Sequence, residues 1–305
     1  MADQQSLANP IKKIILRMCP CGSGKTIEAC HLDLDGRLRK KLPSLRPAGQ
    51  PTGFSHPRCY LRDTCDCSKQ ISREHYISKS VIEQLGAALR VSGTPWLHPG
   101  ETLEIAVGSL TAKILCKRHN EALAPLDSEA GLFFSILTKA LTDLNRKTLS
   151  RKPIFHLVSG DALESWMLKV ACGLYFAVGS KDGVKLAEKH TIDLQKVRRA
   201  FFECKWEVQA GLYFRVATGL TTAWNVEFSP LIHENDQRFA GATVSLLGLR
   251  LDLVFDTTNI NAGAWAGWVR RPSEFVLQRK QRRHSIIQTW PPGTPEASVQ
   301  LSRFT

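Results

Sequence analysis

The stretch that decides the fold is Cys59 to Ser80, CYLRDTCDCSKQISREHYISKS, read together with LTAKILCKRHNEAL at residues 110–123. The first stretch contains cysteines at short spacing, and the second contains Cys116 and His119 in a C-x-x-H arrangement. Clustered thiols in a chain with no export signal are more often metal ligands than disulfide partners. The two segments therefore predict a metal site that joins distant parts of the chain.

Zinc is the ion that this ligand set predicts, because it prefers four sulfur and nitrogen ligands in a tetrahedron. Cys59 and Cys67 are the expected ligands of the first segment, with Cys65 as the competitor of Cys67. Cys116 and His119 complete the set. A zinc ion at this position would hold the two segments together, and with them the side chains that follow each ligand.

Those neighbouring side chains are Glu74 and His75 in the first segment and Asn120 in the second. Carboxylate and amide oxygens suit Mg²⁺ or Mn²⁺, and an imidazole that titrates near neutrality can take a proton from water. Together they are the groups that a metal-assisted phosphodiesterase uses. We therefore expect a catalytic divalent ion here, separate from the structural zinc.

The two segments resemble the HNH nuclease family over roughly residues 59–126. The resemblance implies a ββα-metal core of two strands and a helix, with Glu74 and Asn120 holding the catalytic ion and His75 activating water. Tyr76 and Thr111 depart from it, since Thr111 stands where the family's middle Asn braces the hairpin. The positions that agree are Ser72, Glu74, His75, Lys79, Ser80, Leu115, Cys116 and Asn120, and Ser78 is a further departure.

The charge balance indicates a polyanionic partner, since 41 Lys and Arg against 28 Asp and Glu give a net charge of +13. The HNH resemblance implies that this partner is DNA. Arg73, Lys79, Lys117 and Arg118 are the expected contacts to its backbone. An alternative remains open, in which the chain is a non-catalytic, double-zinc protein that binds nucleic acid or acts as an adaptor.

A separate motif, CPCGSGKTIEACH, lies near the start of the chain. Its GSGKT core is not a phosphate-binding loop, because Cys19 stands where that loop needs its first glycine. Cys19, Cys21, Cys30 and His31 instead have the composition of a second structural zinc site. The motif resembles the SEC-C module, a small zinc-binding element found attached to many proteins, which implies a possible protein partner.

Four units are expected: a SEC-C-like module at 1–42, a basic proline-rich linker at 43–58, an HNH domain at 59–150 and a C-terminal domain at 151–305. The fold class expected is α+β. Within the HNH domain, VIEQLGAALR predicts a helix, and residues 102–107 and 110–116 predict a hairpin. No apolar run is long enough to span a membrane, so we expect a cytoplasmic protein.

The C-terminal half begins with helical periodicity and continues, from about Lys205, with alternating segments that predict an antiparallel sheet packed on those helices. Target recognition is its expected role, and the basic run at residues 269–284 is a candidate clamp on a phosphate backbone. Four histidines have no partner at metal-binding spacing and are expected to be structural or solvent-facing: His156, His190, His233 and His284.

Overall fold

The computed structural model describes residues 25–32, 38–84, 88–92, 94, 96–98, 100–146, 153–177, 184–215, 225–257 and 268–301. The helices in these ranges are α1 (Ile27–His31), α2 (Lys79–Ile82), α3 (Lys117–Asn145), α4 (Gly160–Ala177), α5 (Leu186–Lys189) and α6 (Leu194–Glu203). The strands are β1 (Ile71–His75), β2 (Ala88–Ser92), β3 (Thr102–Ala106), β4 (Thr111–Cys116), β5 (Ile154–Ser159), β6 (Gly211–Arg215), β7 (Asn225–Ile232), β8 (Phe239–Leu246), β9 (Leu249–Val254), β10 (Val269–Arg270), β11 (Glu274–Arg279), β12 (Arg282–Thr289) and β13 (Ser298–Leu301). The fold therefore mixes helices with strands in several sheets. None of the described helices has the length and apolarity needed to cross a bilayer.

Strands β1 and β4 form a two-stranded antiparallel sheet, with His75 opposite Thr111. Helix α3 starts directly after β4, because the sulfur of Cys116 caps it by accepting a hydrogen bond from the backbone N–H of His119. The helix continues through Pro125 for 29 residues. The apolar spacing is unbroken across the proline and gives one buried face. The result is a strand–strand–helix unit.

The chain between β1 and β4 contradicts two predictions. Helix α2 covers only the start of the predicted helix, and β2 begins at Ala88. The predicted hairpin is also wrong, because β3 pairs with β2 and not with β4, and β2 lies parallel to β7. Leu89 and Val91 of β2 are fully buried. Burial of these side chains stabilises β2 in its sheet, between β3 and β7. Strand β4 pairs with β1 instead of β3.

The larger sheets surround α4. One has seven strands in the order β10-β6-β9-β8-β7-β2-β3, and the other has four in the order β13-β11-β12-β5. Helix α4 contacts strands of both and is buried over nearly its whole length, including Trp166 and Lys169. The strands that the alternating segments predict, β6 to β10, pair antiparallel as expected. The sheets as a whole are mixed, because β2 pairs parallel with β7, β5 with β12 and β11 with β13. Alternation within a strand records which face is buried, but not the direction of its partner.

The N-terminal connections are more ordered than the sequence indicates. Residues 43–58 contain no helix or strand, yet Leu45 is buried and the Thr52 hydroxyl donates to the carbonyl of Cys67. Most residues of this stretch are nevertheless exposed, and the expected linker stays a prediction. The expected boundary at residue 150 stays a prediction, although the β2–β7 ladder joins chain from both sides of it.

Two of the histidines that seemed unrelated in sequence are neighbours in the fold. Parallel pairing of β5 with β12 stacks the rings of His156 and His284, with 5.6 Å between centroids, and His156 Nε2 lies 3.3 Å from His284 Nδ1. The other nitrogen of His284 lies 3.0 Å from the Asp143 carboxylate, near the end of α3. These three side chains therefore link both sides of the predicted boundary.

Candidate functional site

Four buried side chains meet where the loop before β1, the end of β4 and the start of α3 come together. Cys59, Cys67, Cys116 and His119 have their ligand atoms within 4.8 Å of one another. The sulfurs lie 3.5, 3.7 and 3.2 Å from His119 Nδ1, in chain order. Ideal tetrahedral zinc separates sulfur and nitrogen ligands by about 3.6 Å. This buried Cys₃His group could bind one zinc ion.

The hydrogen bonds of His119 leave the correct nitrogen available for metal. Thr64 Oγ1 donates to the carbonyl of Leu61 and lies 3.0 Å from His119 Nε2, so it accepts the Nε2–H. The proton is thereby held on Nε2, and the Nδ1 lone pair faces the three sulfurs. Outer hydrogen bonds of this kind fix the tautomer of a metal-bound histidine. Thr64 is a contributor that ligand spacing alone does not reveal.

The thiols of the cluster differ in acidity. A hydrogen bond from the Cys59 thiol lowers the pKa of Cys116, and the same contact together with burial raises the pKa of Cys59. Burial likewise raises the pKa of Cys67. Cys65 lies outside the cluster: it is exposed, in a left-handed backbone conformation, and its sulfur is 3.5 Å from Ser55 Oγ. The chain turns at Cys65, and Cys67, two residues later, lies in the cluster.

The cluster also fastens the loop to the strand–helix unit. The N–H of Tyr60 donates to the carbonyl of Ile114 on β4. Arg118, on the first turn of α3, makes two contacts with the Asp66 carboxylate, at 2.8 and 3.2 Å, and donates to the carbonyl of Gln50. Most of the Arg118 guanidinium is therefore used within the protein. Its expected contact with nucleic acid stays a prediction.

Beside this centre, β1 directs Glu74 into the interior. Glu74 is 5% exposed, and the nearby Asn120 side chain acts to lower the pKa of its carboxylate. Lys169 of α4 contacts it at 2.5 Å and also contacts Asp127 of α3 at 2.6 Å. Burial raises the pKa of Glu74, and the Lys169 ammonium opposes that rise. Two carboxylates thus face one buried cation.

Lys169 and Asp127 are the site residues that sequence reasoning missed. The one signal for Lys169 is a single cation within the apolar run of α4, and Asp127 has no metal-ligand or catalytic spacing to mark it. Gly173 allows α4 to come this close, because a Cβ at that position would lie 2.1 Å from the Cβ of Tyr76. Burial lowers the pKa of Lys169, but the two carboxylates outweigh it and the pKa is raised.

His75 is the next residue on β1 and is only half-buried. Within the described part of the chain its imidazole has no hydrogen-bonding partner. Burial and the nearby Lys79 ammonium lower its pKa, so the ring is neutral at physiological pH. Neutral imidazole is the form that can accept a proton. The expected base is thus in the required state and open to water.

The other predicted backbone contacts differ in their surroundings. Arg73 is exposed on β1, next to the site. Lys79 and Lys117 are exposed, and each lies within 4 Å of a glutamate one helical turn later, at 3.4 and 3.9 Å. Such exposed ion pairs are weak and exchange readily with other anions. The structure leaves these three cations accessible near the site.

The first cysteine motif is described only in part, because Cys19 and Cys21 lie outside the described residues. Cys30 and His31 end α1. His31 is 7% exposed, and its Nδ1 donates to the carbonyl of Arg39 at 3.2 Å. Its buried Nε2 has no hydrogen-bond partner among the described residues. This is the arrangement expected of an imidazole whose free nitrogen faces a metal.

Comparison of the whole chain with protein-family models, with curated proteins and with solved structures gives no match in any of the three. The functional assignment therefore depends on the site's own chemistry.

Proposed function

We propose that this protein is a metal-dependent endonuclease that hydrolyses phosphodiester bonds of nucleic acid, with DNA as the expected substrate. The observation that carries the proposal is the placement of Glu74, Asn120 and His75 on the strand–strand–helix unit. The Asn120 side chain lies close enough to Glu74 to influence its carboxylate, although the two residues are 46 positions apart in the chain. His75 follows Glu74 on β1, and its imidazole has no hydrogen-bonding partner among the residues that the structure describes.

Each residue has a defined task in this proposal. The neutral His75 imidazole takes the proton of the attacking water, a step that a positioned base accelerates by about 10²- to 10⁴-fold. Glu74 and Asn120 offer hard oxygen donors that would hold Mg²⁺ or Mn²⁺. Such an ion, when bound, stabilises negative charge on the phosphate and the leaving oxygen. Arg73, Lys79 and Lys117 are placed to contact the backbone of the nucleic acid.

The zinc ions have a structural role in the same proposal. One binds the Cys₃His cluster, and a second binds Cys19, Cys21, Cys30 and His31 of the SEC-C-like module, supported by the unpartnered Nε2 of His31. The module would also dock a protein partner. The net charge of +13 supports attraction of a polyanion, and the proposed site of action is the cytoplasm.

The test is cleavage of supercoiled plasmid DNA with added Mg²⁺ or Mn²⁺, using the wild type, His75→Ala and His98→Ala. His98 is an exposed histidine outside the site and serves as the matched control. We expect cutting by the wild type and by His98→Ala. His75→Ala should lose at least about 100-fold in rate, with unchanged zinc content and circular dichroism.

Lys169 favours a second candidate, a non-catalytic nucleic-acid-binding or adaptor protein. Its ammonium already satisfies Glu74 and Asp127, which is the charge balance that a bound divalent ion would provide. Binding of DNA or RNA by the wild type without cleavage, across Mg²⁺, Mn²⁺, Co²⁺ and Ni²⁺, would establish this candidate and reject the endonuclease.

A further inference from the structure

A second feature of the same unit is a cavity of about 340 Å³ on the outer side of β4. The loop that carries Cys59 forms one wall, β4 forms another, and the end of α4 with the chain after it closes the third. Its volume is at the lower end of the range for small-molecule sites, about 300–1,000 Å³. It can therefore enclose a group the size of one nucleotide, but not a duplex.

The lining of this cavity has one sign of charge. Arg58, Arg62, Lys113 and Lys185 line it, and among the residues that the structure describes no aspartate or glutamate does. Arg62 lies 3.8 Å from Asp63, and both of these side chains are more than half exposed. The other three side chains have no ion pair or hydrogen bond to any residue that the structure describes. Cations gathered in this way repel one another, and a bound anion relieves that repulsion.

The cavity also has an apolar wall. Phe176 lines it and stacks on the ring of Tyr60, with 5.7 Å between centroids and 7° between planes. Ile114 and Leu194 add aliphatic surface. Aromatic and aliphatic surface beside a group of cations matches the two parts of a nucleotide, a flat base and a phosphate.

The position of the cavity connects it to the proposed active site. Ala112 lines it and is the direct partner of Glu74 in the β1–β4 ladder. Paired residues of antiparallel strands lie about 4.5–5.5 Å apart. A nucleic-acid strand held in the cavity would therefore lie close to Glu74.

We propose that this cavity binds one nucleotide of a single-stranded segment of nucleic acid, with Arg58, Lys113 and Lys185 contacting its phosphates and the Phe176 side contacting its base. In the proposed nuclease this site would position the substrate, and that role rests on the proposed function. The binding itself is independent of cleavage and can be measured without it.

The test is fluorescence anisotropy of a labelled 12-nucleotide single strand in the presence of bound zinc but no added Mg²⁺ or Mn²⁺. Arg58→Glu and Lys113→Glu alter the cavity from two different walls. Arg146→Glu is the matched control, since Arg146 is exposed at the far end of α3, roughly 40 Å from its start. Zinc content and circular dichroism show that each variant is folded.

We expect each cavity variant to weaken binding at least 10-fold and to reduce the salt dependence of the affinity, whereas Arg146→Glu changes it less than 2-fold. Equal effects of the cavity variants and Arg146→Glu would overturn the proposal, because only overall charge would then matter. If AMP binds as tightly as the 12-nucleotide strand, the cavity binds a free nucleotide, and the proposal that it binds a nucleic-acid strand is overturned. If the wild type binds as expected but does not cut plasmid, the nuclease fails and the binding site stands.

Discussion

Lys169 is the single residue on which the interior of the site depends. Its ammonium is 2% exposed and is the contact between Glu74 on β1 and Asp127 on α3. Ser78 extends the network, because its hydroxyl donates to Asp127 and accepts the indole N–H of Trp166 at 2.6 Å. The network thus joins β1, α3, α4 and the residue before α2 around one buried charge.

Replacement of that charge should be costly for stability. Lys169→Met leaves the buried Glu74 carboxylate and the partly buried Asp127 carboxylate without their cation. Removal of one partner of a buried ion pair typically costs about 3–5 kcal/mol. We expect a loss of that size in the free energy of unfolding, measured by urea denaturation. Lys117→Met removes an exposed pair 3.9 Å apart and should cost less than about 1 kcal/mol.

A triple variant distinguishes lost charge from lost packing. Lys169→Met combined with Glu74→Gln and Asp127→Asn removes the unpaired carboxylates and should recover part of the stability. If the triple variant is no more stable than Lys169→Met, repulsion between the carboxylates is not the cause. A single lysine in an apolar run gives no indication of its partners, which is why the sequence predicts Glu74 and Asn120 as site residues but does not predict this network.

At the scale of elements, the Cys₃His cluster is what joins the loop before β1 to β4 and α3. The ligands come from two short segments with recognisable spacing, so the sequence alone indicated the set. It could not choose between Cys65 and Cys67, because that depends on the left-handed conformation at Cys65. The pairing of β3 with β2 could not be predicted either, since the alternation of side chains along a strand does not show which strand it pairs with.

A pair of neighbouring cysteines tests the cluster. Cys67→Ser replaces a buried ligand and should lower the zinc content by about one ion per chain and the melting temperature by several degrees, because metal binding contributes to folding free energy. Cys65→Ser is the matched control and should change neither quantity. Metal analysis and thermal denaturation measure both. Equal zinc content in the two variants would show that this cluster does not hold zinc.

At the scale of the whole molecule, the stack of His156 and His284 predicts a dependence of stability on pH. Burial, the neighbouring His284 and Lys139 lower the pKa of His156 to about 4. An unfolded histidine titrates near 6.5, so between these values the unfolded chain binds more protons than the folded one. Stability is therefore complete above about pH 6.5 and decreases as the pH falls towards 4. Asp143, whose pKa is lowered by its hydrogen bond to His284, acts in the same direction at lower pH.

His156→Gln should make the unfolding free energy less dependent on pH, because it removes the imidazole whose pKa is lowered in the folded protein. We expect the difference in unfolding free energy between pH 7 and pH 4.5 to shrink by about 1–2 kcal/mol, allowing for the partial exposure of the ring. Urea denaturation at the two pH values measures it. His98→Gln, at an exposed position, should leave the difference unchanged, and an equal effect of the two variants would contradict the assignment.

The pairing of β2 with β7 has a consequence for synthesis on the ribosome. Arg90 pairs with Asn225, so β2 leaves the ribosome roughly 135 residues before the strand that completes its sheet. At translation rates of about 5–20 residues per second, that delay is roughly 7–27 seconds. The nascent chain must keep β2 and β3 from pairing with other chains during this time. The β1–β4–α3 unit with its cysteine cluster can assemble first and act as the anchor against which the remaining sheet forms.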